Sequence, residues 1–247
     1  AASVESALTN LIGELKKMKD QYQFILIHGG GAEVSRISKI FGLEPAFENG
    51  VRLTTPEEMN IADMVLSGLI NKGLVRSLFA QGIRAVGLSG SDGGILIGEA
   101  ISLDSRTGKS TQVNAGVLRL LLDDNIMPVF SSTAMDAEGK GLNINADEAA
   151  FAISTALPAQ TLVFISDIPG VLRNDAVIEN LSREDIDEAI ASEVITGGMI
   201  PKVRSSADAL EKGIGSVIIG GYEKEGDLHA LLAGQKGTRI TKETTHT

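Results

Sequence analysis

Short aliphatic runs alternate with segments of helical period along most of the sequence, and this alternation is its strongest constraint on fold. Phe24-Ile25-Leu26-Ile27 stops at Gly29-Gly30-Gly31 and gives way to a helical stretch, as a buried strand feeding a tight turn would. Ala85–Leu88, Met127–Phe130, Leu162–Ile165 and Val217–Ile219 behave as further strands. Met59–Phe79, Val113–Leu122, Ala146–Ala156, Arg183–Ala191 and Val203–Leu210 repeat apolar residues at helical spacing. An opening helix carries Leu8, Leu11, Ile12 and Leu15 on one face. The expected fold is α/β, a three-layer α/β/α sandwich with a mostly parallel central sheet. Ala46–Leu53, and Gly94–Ile97 with Glu99–Leu103, read as hairpin excursions from it.

The 247 residues are 43% hydrophobic, enough for a substantial core, and no low-complexity linker divides them. A single domain over 1–247 is therefore expected. The formal charge of −10 argues against nucleic acid, whose binders carry a basic stripe. It remains compatible with a small anionic substrate held by a few cations and backbone N–H groups. The absence of cysteine excludes disulfides, thiolate nucleophiles and Cys-ligated zinc. No apolar run reaches membrane-spanning length, and Glu5 and Asn10 stand where a signal peptide would be apolar. A cytoplasmic protein with no membrane partner is expected.

Familiar catalytic motifs fail on spacing. Gly108-Lys109-Ser110 would need a further glycine at Leu103 to make a P-loop. Gly29 and Gly31 would need one at Val34 for a dinucleotide fingerprint. Gly87-Leu88-Ser89 meets Ser91 where a nucleophile elbow requires glycine. His28, His229 and His246 are too scattered for metal spacing, so no protein-held metal is expected.

Other segments suggest anion chemistry. The glycine triplet is either a plain tight turn or a strand end that exposes N–H groups to an anion. Arg52 is either a solvated charge or a bidentate carboxylate clamp. Asn145, just before a helix, can cap it, and Asp147 falls in the first helical turn, where the dipole favours a carboxylate.

Five segments in register settle these choices toward one family. They are Ile27-His28-Gly29-Gly30-Gly31, Asn49-Gly50-Val51-Arg52-Leu53-Thr54, Asn143-Ile144-Asn145-Ala146-Asp147, Ser166-Asp167-Ile168-Pro169-Gly170-Val171-Leu172 and Gly197-Gly198-Met199-Ile200-Pro201-Lys202. Together they resemble the amino-acid kinase family, specifically its acetylglutamate kinase branch. The resemblance implies an N-terminal acyl-amino-acid lobe over 1–142 and a C-terminal nucleotide lobe over 143–247. It gives substrate binding to Gly30, Gly31, Arg52, Asn143 and Asn145, and catalysis to Lys202 with Asp147. Asp167, Ile168, Pro169, Gly170, Val171 and Leu172 would contact ATP, as would Thr196, Gly197, Gly198, Met199, Ile200 and Pro201. The cofactors implied are ATP and Mg2+, the substrate N-acetylglutamate, and the assembly a homodimer.

The chemistry suits the composition. A γ-carboxylate is already ionised near neutral pH and needs no general base. Phosphoryl transfer to it is a matter of alignment and charge neutralisation, which N–H donors and lysines supply. In one respect the sequence departs from the family, whose first strand ends in Lys-x-Gly-Gly. This sequence opens at Ala1-Ala2-Ser3 and runs into its first helix, so a fragment of a longer protein is expected. The alternatives are a kinase for another N-acylated acidic amino acid, such as N-succinylglutamate, and a non-catalytic ligand sensor.

Overall fold

The computed structural model describes residues 2–48 and 51–242. The Asn49-Gly50 turn, His246 and the last residues of the polar tail lie outside the described residues. The chain forms two compact units, Met18–Ala156 and the combination of Ala1–Lys17 with Leu157–Thr247.

Helix α1 (Ala2–Met18) opens the chain and belongs almost wholly to the second unit. The first unit then begins with β1 (Leu26–His28), α2 (Gly31–Ile40) and the hairpin β2 (Ala46–Glu48) and β3 (Val51–Leu53). A long helix follows in three parts: α3 (Pro56–Ala62), a π-helical stretch Asp63–Ile70, and α4 (Asn71–Ala80). Thr55 starts it sharply, because Thr55 and Glu58 form a reciprocal capping box with proline at the first turn. The helix therefore begins ahead of Met59, where periodicity alone had placed its start. After it come β4 (Ala85–Leu88), β5 (Leu96–Ala100), β6 (Thr107–Val113), α5 (Gly116–Asp123) and β7 (Met127–Ser131). The unit closes with β8 (Thr133–Met135), β9 (Gly141–Ile144) and α6 (Ala146–Ala156).

Strands β1, β7 and β4 form a parallel sheet in that order, with Ile27 opposite Phe130 and Gly87 opposite Val129. Every residue of β7 is buried, which explains why it reads as an unbroken apolar run. Strands β5, β6, β9 and β8 close a small barrel. The expected hairpin of Gly94–Ile97 with Glu99–Leu103 is corrected here. Leu96–Ala100 is one continuous strand whose antiparallel partner is Thr107–Val113. Gly108-Lys109-Ser110 thus lies inside a strand, where no phosphate loop can form. Val34 on α2 packs with Met59, Ile61, Ala62, Val65 and Leu66 of the long helix. Burying each larger side chain of such a cluster contributes about 1.5–3 kcal/mol.

The second unit contains β10 (Thr161–Ser166), the short hairpin β11 (Leu172–Arg173) and β12 (Ala176–Val177), and β13 (Asn180–Leu181). Helices α7 (Arg183–Ala191) and α8 (Met199–Glu211), β14 (Ser216–Gly221), α9 (Asp227–Leu232) and β15 (Thr238–Ile240) complete it. Its sheet order is β10-β14-β15-β13, parallel between β10 and β14 and antiparallel between β14 and β15. Buried Glu14 of α1 accepts hydrogen bonds from the Tyr222 hydroxyl (2.7 Å) and from the backbone N–H groups of Gly226 (2.9 Å) and His229 (3.2 Å). A carboxylate at the start of α9 meets unfilled donors and the positive end of the helix, which fastens α1 to this unit. Parallel strands backed by helices in both units give the α/β/α class expected from the sequence.

Candidate active site

In the first unit a cavity of about 280 Å³ gathers the glycine triplet, Arg52, Asn143, Asn145 and Asp147. Residues separated by more than a hundred positions meet there because β1 and β9 each end in a turn that opens a helix. Helix α2 starts at Gly31 with no side-chain cap, leaving its first N–H groups to other acceptors. Helix α6 starts at Ala146, and a Cβ on Gly29 would sit 3.4 Å from the Ala146 Cβ, so the two helix starts are neighbours. Two positive helix ends beside one cavity favour an anion.

Gly30 is required by packing. A Cβ there would lie 2.2 Å from Ile70 Cδ1 and 2.9 Å from Leu66 Cδ2. The long helix therefore presses against the loop backbone, and Leu66 and Val34 supply apolar wall.

Arg52 is buried, 9% exposed, and fully engaged along one edge. Its Nη2 donates to the Gly31 carbonyl at 2.8 Å and to the Ser35 hydroxyl. Its guanidinium stacks 4.7 Å from the Phe47 ring centroid. Nη1 faces Glu58 Oε1 at 3.8 Å, within ion-pair reach. Burial pulls the Arg52 pKa below its ordinary value, and Glu58 opposes that shift.

Asn143 is tied into a hydroxyl chain. Its Nδ2 donates to Thr54 Oγ1 at 3.0 Å, the Thr54 N–H donates to Thr107 Oγ1 at 2.8 Å, and Thr107 Oγ1 donates to the Arg52 carbonyl at 2.6 Å. Asn145 Oδ1 accepts from the N–H of Asp147 at 2.8 Å and caps α6, as its position in the sequence suggests. His28 stands at the foot of the glycine loop. Its Nδ1 pairs with the Gly29 carbonyl at 2.9 Å and its Nε2 with Asn71 Nδ2 at 3.1 Å. An amide N–H donor on Nε2 assigns the proton to Nδ1 and leaves the ring neutral. Burial lowers the His28 pKa, with the Gly29 carbonyl opposing and the Lys72 charge adding to the effect.

The residues expected at the nucleotide fall in the second unit. Asp167–Val171 form the loop after β10, and Leu172 begins β11. The Val171 N–H donates to Thr238 Oγ1 at 2.8 Å, and a Cβ on Gly170 would lie 2.8 Å from Val177, so the loop is pressed onto its own unit. Thr196–Gly198 lead into α8, with Gly197 at φ +56° and no side-chain cap on the helix start. That start presents backbone donors suited to phosphate oxygens. Lys202 lies in the opening turns of α8, its Nζ 5.2 Å from the centre of the Phe164 ring.

Sequence reasoning missed Phe47, Glu58, Leu66, Thr54 and Thr107. Only Glu58 left a readable trace, the Thr-x-x-Glu capping pattern after Arg52. The rest are brought in by the β2–β3 hairpin, β6 and the long helix, whose register no local pattern encodes.

Fold and pocket together define an α/β protein whose first unit holds a cavity suited to a small anion. The amino acid kinase family matches residues 2–220, and the chain belongs to that family. It is 41% identical over 229 residues to an acetylglutamate kinase of Methanopyrus kandleri, covering 87% of this chain and 90% of that protein. To the acetylglutamate kinase of Bacillus subtilis it is 38% identical over 225 residues, covering 90% and 85%. A solved structure from Streptococcus mutans UA159 superimposes with TM-score 0.80 at 29% identity, covering 94% of this chain and 91% of that one. An N-acetylglutamate synthase of Neisseria gonorrhoeae shares the fold, with TM-score 0.82 at 22% identity over 96% of this chain and 56% of that one.

Proposed function

We propose that this chain transfers the γ-phosphoryl group of ATP to the γ-carboxylate of N-acetyl-L-glutamate, giving N-acetylglutamyl 5-phosphate for arginine biosynthesis. The observation that carries the reading is the pocket of the first unit, where two helix starts and a buried guanidinium flank apolar wall from Leu66 and Val34. A dicarboxylate with a short acyl group needs that combination. Relatives bearing the acetylglutamate kinase name at 34–41% identity support the acetyl over a larger acyl group.

In this reading Arg52 clamps the α-carboxylate, Asn143 and Asn145 hold the amide region, and the N–H groups of Gly30 and Gly31 receive the reacting carboxylate. A γ-carboxylate oxygen attacks the γ-phosphorus, the bond to the β–γ bridging oxygen breaks, and ADP leaves with the electron pair. Lys202 neutralises charge on the transferring group, and Asp147 orients catalytic lysines. Asp167 to Leu172 and Thr196 to Pro201 hold ATP; the uncapped start of α8 supports this assignment. Magnesium, bound together with the nucleotide, would supply further charge neutralisation.

We place the protein in the cytoplasm as a homodimer. Met64, Leu69 and Phe79, exposed on the long helix, support self-association. No described helix is long and apolar enough to cross a membrane.

A coupled assay of ATP consumption with N-acetyl-L-glutamate, N-succinyl-L-glutamate and an N-acyl aminoadipate tests the assignment. Turnover with the acetyl substrate is expected to dominate. Preference for another of these phosphoryl acceptors would reassign the substrate. Binding without ATP consumption would identify a sensor.

A further inference from the structure

Among the described residues, Arg52 Nη1 and Glu58 Oε1 are buried without a hydrogen-bond partner, and they lie 3.8 Å apart. Both side chains are more than nine-tenths buried. An unmade hydrogen bond between a buried donor and a buried acceptor is costly. The rest of each group is firmly held. Arg52 Nη2 is committed to Gly31 and Ser35, and Phe47 covers the guanidinium face. Glu58 Oε2 accepts from the Thr55 N–H at 3.2 Å in the capping box.

From this arrangement we infer that Glu58 is a positioning residue, the counter-charge that holds the buried Arg52 guanidinium in the pocket wall. The inference rests on the reading of Arg52 given above. A guanidinium buried without a carboxylate nearby would rotate toward water, away from the pocket. At 3.8 Å Glu58 supplies that counter-charge. The capping box explains how that distance is fixed, because Oε2 is tied to the helix start and Oε1 cannot advance.

Glu58→Gln separates charge from shape. Its carbonyl oxygen can keep the bond to Thr55, which places an NH2 donor against the Arg52 donor. Calorimetric titration of the full chain with N-acetyl-L-glutamate is expected to show about tenfold weaker binding. The α-carboxamide of the same ligand, which offers Arg52 no charge, is expected to bind within about twofold of wild type. Thr55→Ala, which breaks only the cap, is expected to lower the unfolding midpoint and leave the dissociation constant unchanged. Equal losses on acid and amide would overturn the proposal, as would acid binding within twofold of wild type. If Glu58→Gln does not fold, Glu58→Asp decides. Asp185 fills the equivalent capping position of α7, so that variant keeps cap and charge. It should bind the acid within about threefold of wild type, and a larger loss shared by acid and amide would again overturn the idea. Arg52→Ala is the control on the underlying reading. If it does not weaken the acid, Arg52 is no clamp; if it does and Glu58→Gln does not, only the positioning role fails.

Discussion

Asn143 donates to the Thr54 hydroxyl at 3.0 Å, and this single contact links the floor of the pocket to the strand that carries Arg52. Thr54 is itself held from behind, because its N–H donates to Thr107 Oγ1 and Thr107 Oγ1 donates to the Arg52 carbonyl. One buried hydroxyl therefore satisfies a backbone group of β3 and another directly after it. Arg52 and Asn143, two of the side chains proposed to bind substrate, are thus tied into one network.

Thr107→Val keeps the shape and removes both bonds. Leaving a buried N–H and a buried carbonyl unpaired costs about 1–3 kcal/mol each, so a loss of about 2–6 kcal/mol is expected. Urea unfolding of the variant measures it. A change below about 0.5 kcal/mol, the size of an ordinary surface substitution, would show that the hydroxyl chain does not hold the strand.

Gly30→Ala tests the tight approach of the long helix to the loop. The new methyl group would meet Ile70 Cδ1 at 2.2 Å, so either Ile70 or the loop must shift. Overpacking of this kind costs about 1–3 kcal/mol, and displaced N–H groups should lower kcat/KM for N-acetylglutamate. Adding Ile70→Ala makes room and should recover part of the activity. No recovery in the double variant would mean that the loop is set by something other than this contact.

The sequence made the strand–helix alternation legible because β7 and β14 are buried along their whole length and carry no compensating polar pattern. Helices α6 and α7 were equally plain, each bounded by polar residues at its start. The small barrel was not legible. Its strand β6 reads Thr-Gly-Lys-Ser-Thr-Gln-Val, mostly polar and partly exposed, so no apolar period marks it. Its partner β5 was consequently split into a hairpin that does not exist. At the pocket, residue types that bind anions could be picked out one at a time. Phe47 and Thr107 could not, since an aromatic on a hairpin and a threonine in a polar run gain their roles only from register.

Lys202→Ala tests the proposed chemistry. Removing one charge-stabilising group from a transfer site lowers turnover by on the order of 10²–10³. The fall should appear in kcat, with KM for N-acetylglutamate little changed, because the lysine is assigned to the transferring phosphoryl group. Steady-state kinetics with both substrates varied provide the measurement. A loss below tenfold would remove Lys202 from the mechanism.

His28 makes stability depend on pH with a definite sign. Burial lowers its pKa in the folded protein below the ordinary imidazole value of 6.5. Below that pH the unfolded chain binds a proton that the folded chain resists, so stability rises with pH across this window. The contribution is complete above 6.5 and is lost as the pH falls below it. Asn71 Nδ2 reinforces the neutral ring by donating to Nε2, an interaction that protonation would turn into a clash of donors. His28→Gln places a carbonyl oxygen where Nε2 accepts and carries no titrating group. Its unfolding midpoint should fall less than that of the wild type between pH 7.5 and 5.5, values chosen to bracket the ordinary imidazole pKa of about 6.5. Parallel pH curves for the two proteins would mean that His28 takes up its proton as readily folded as unfolded.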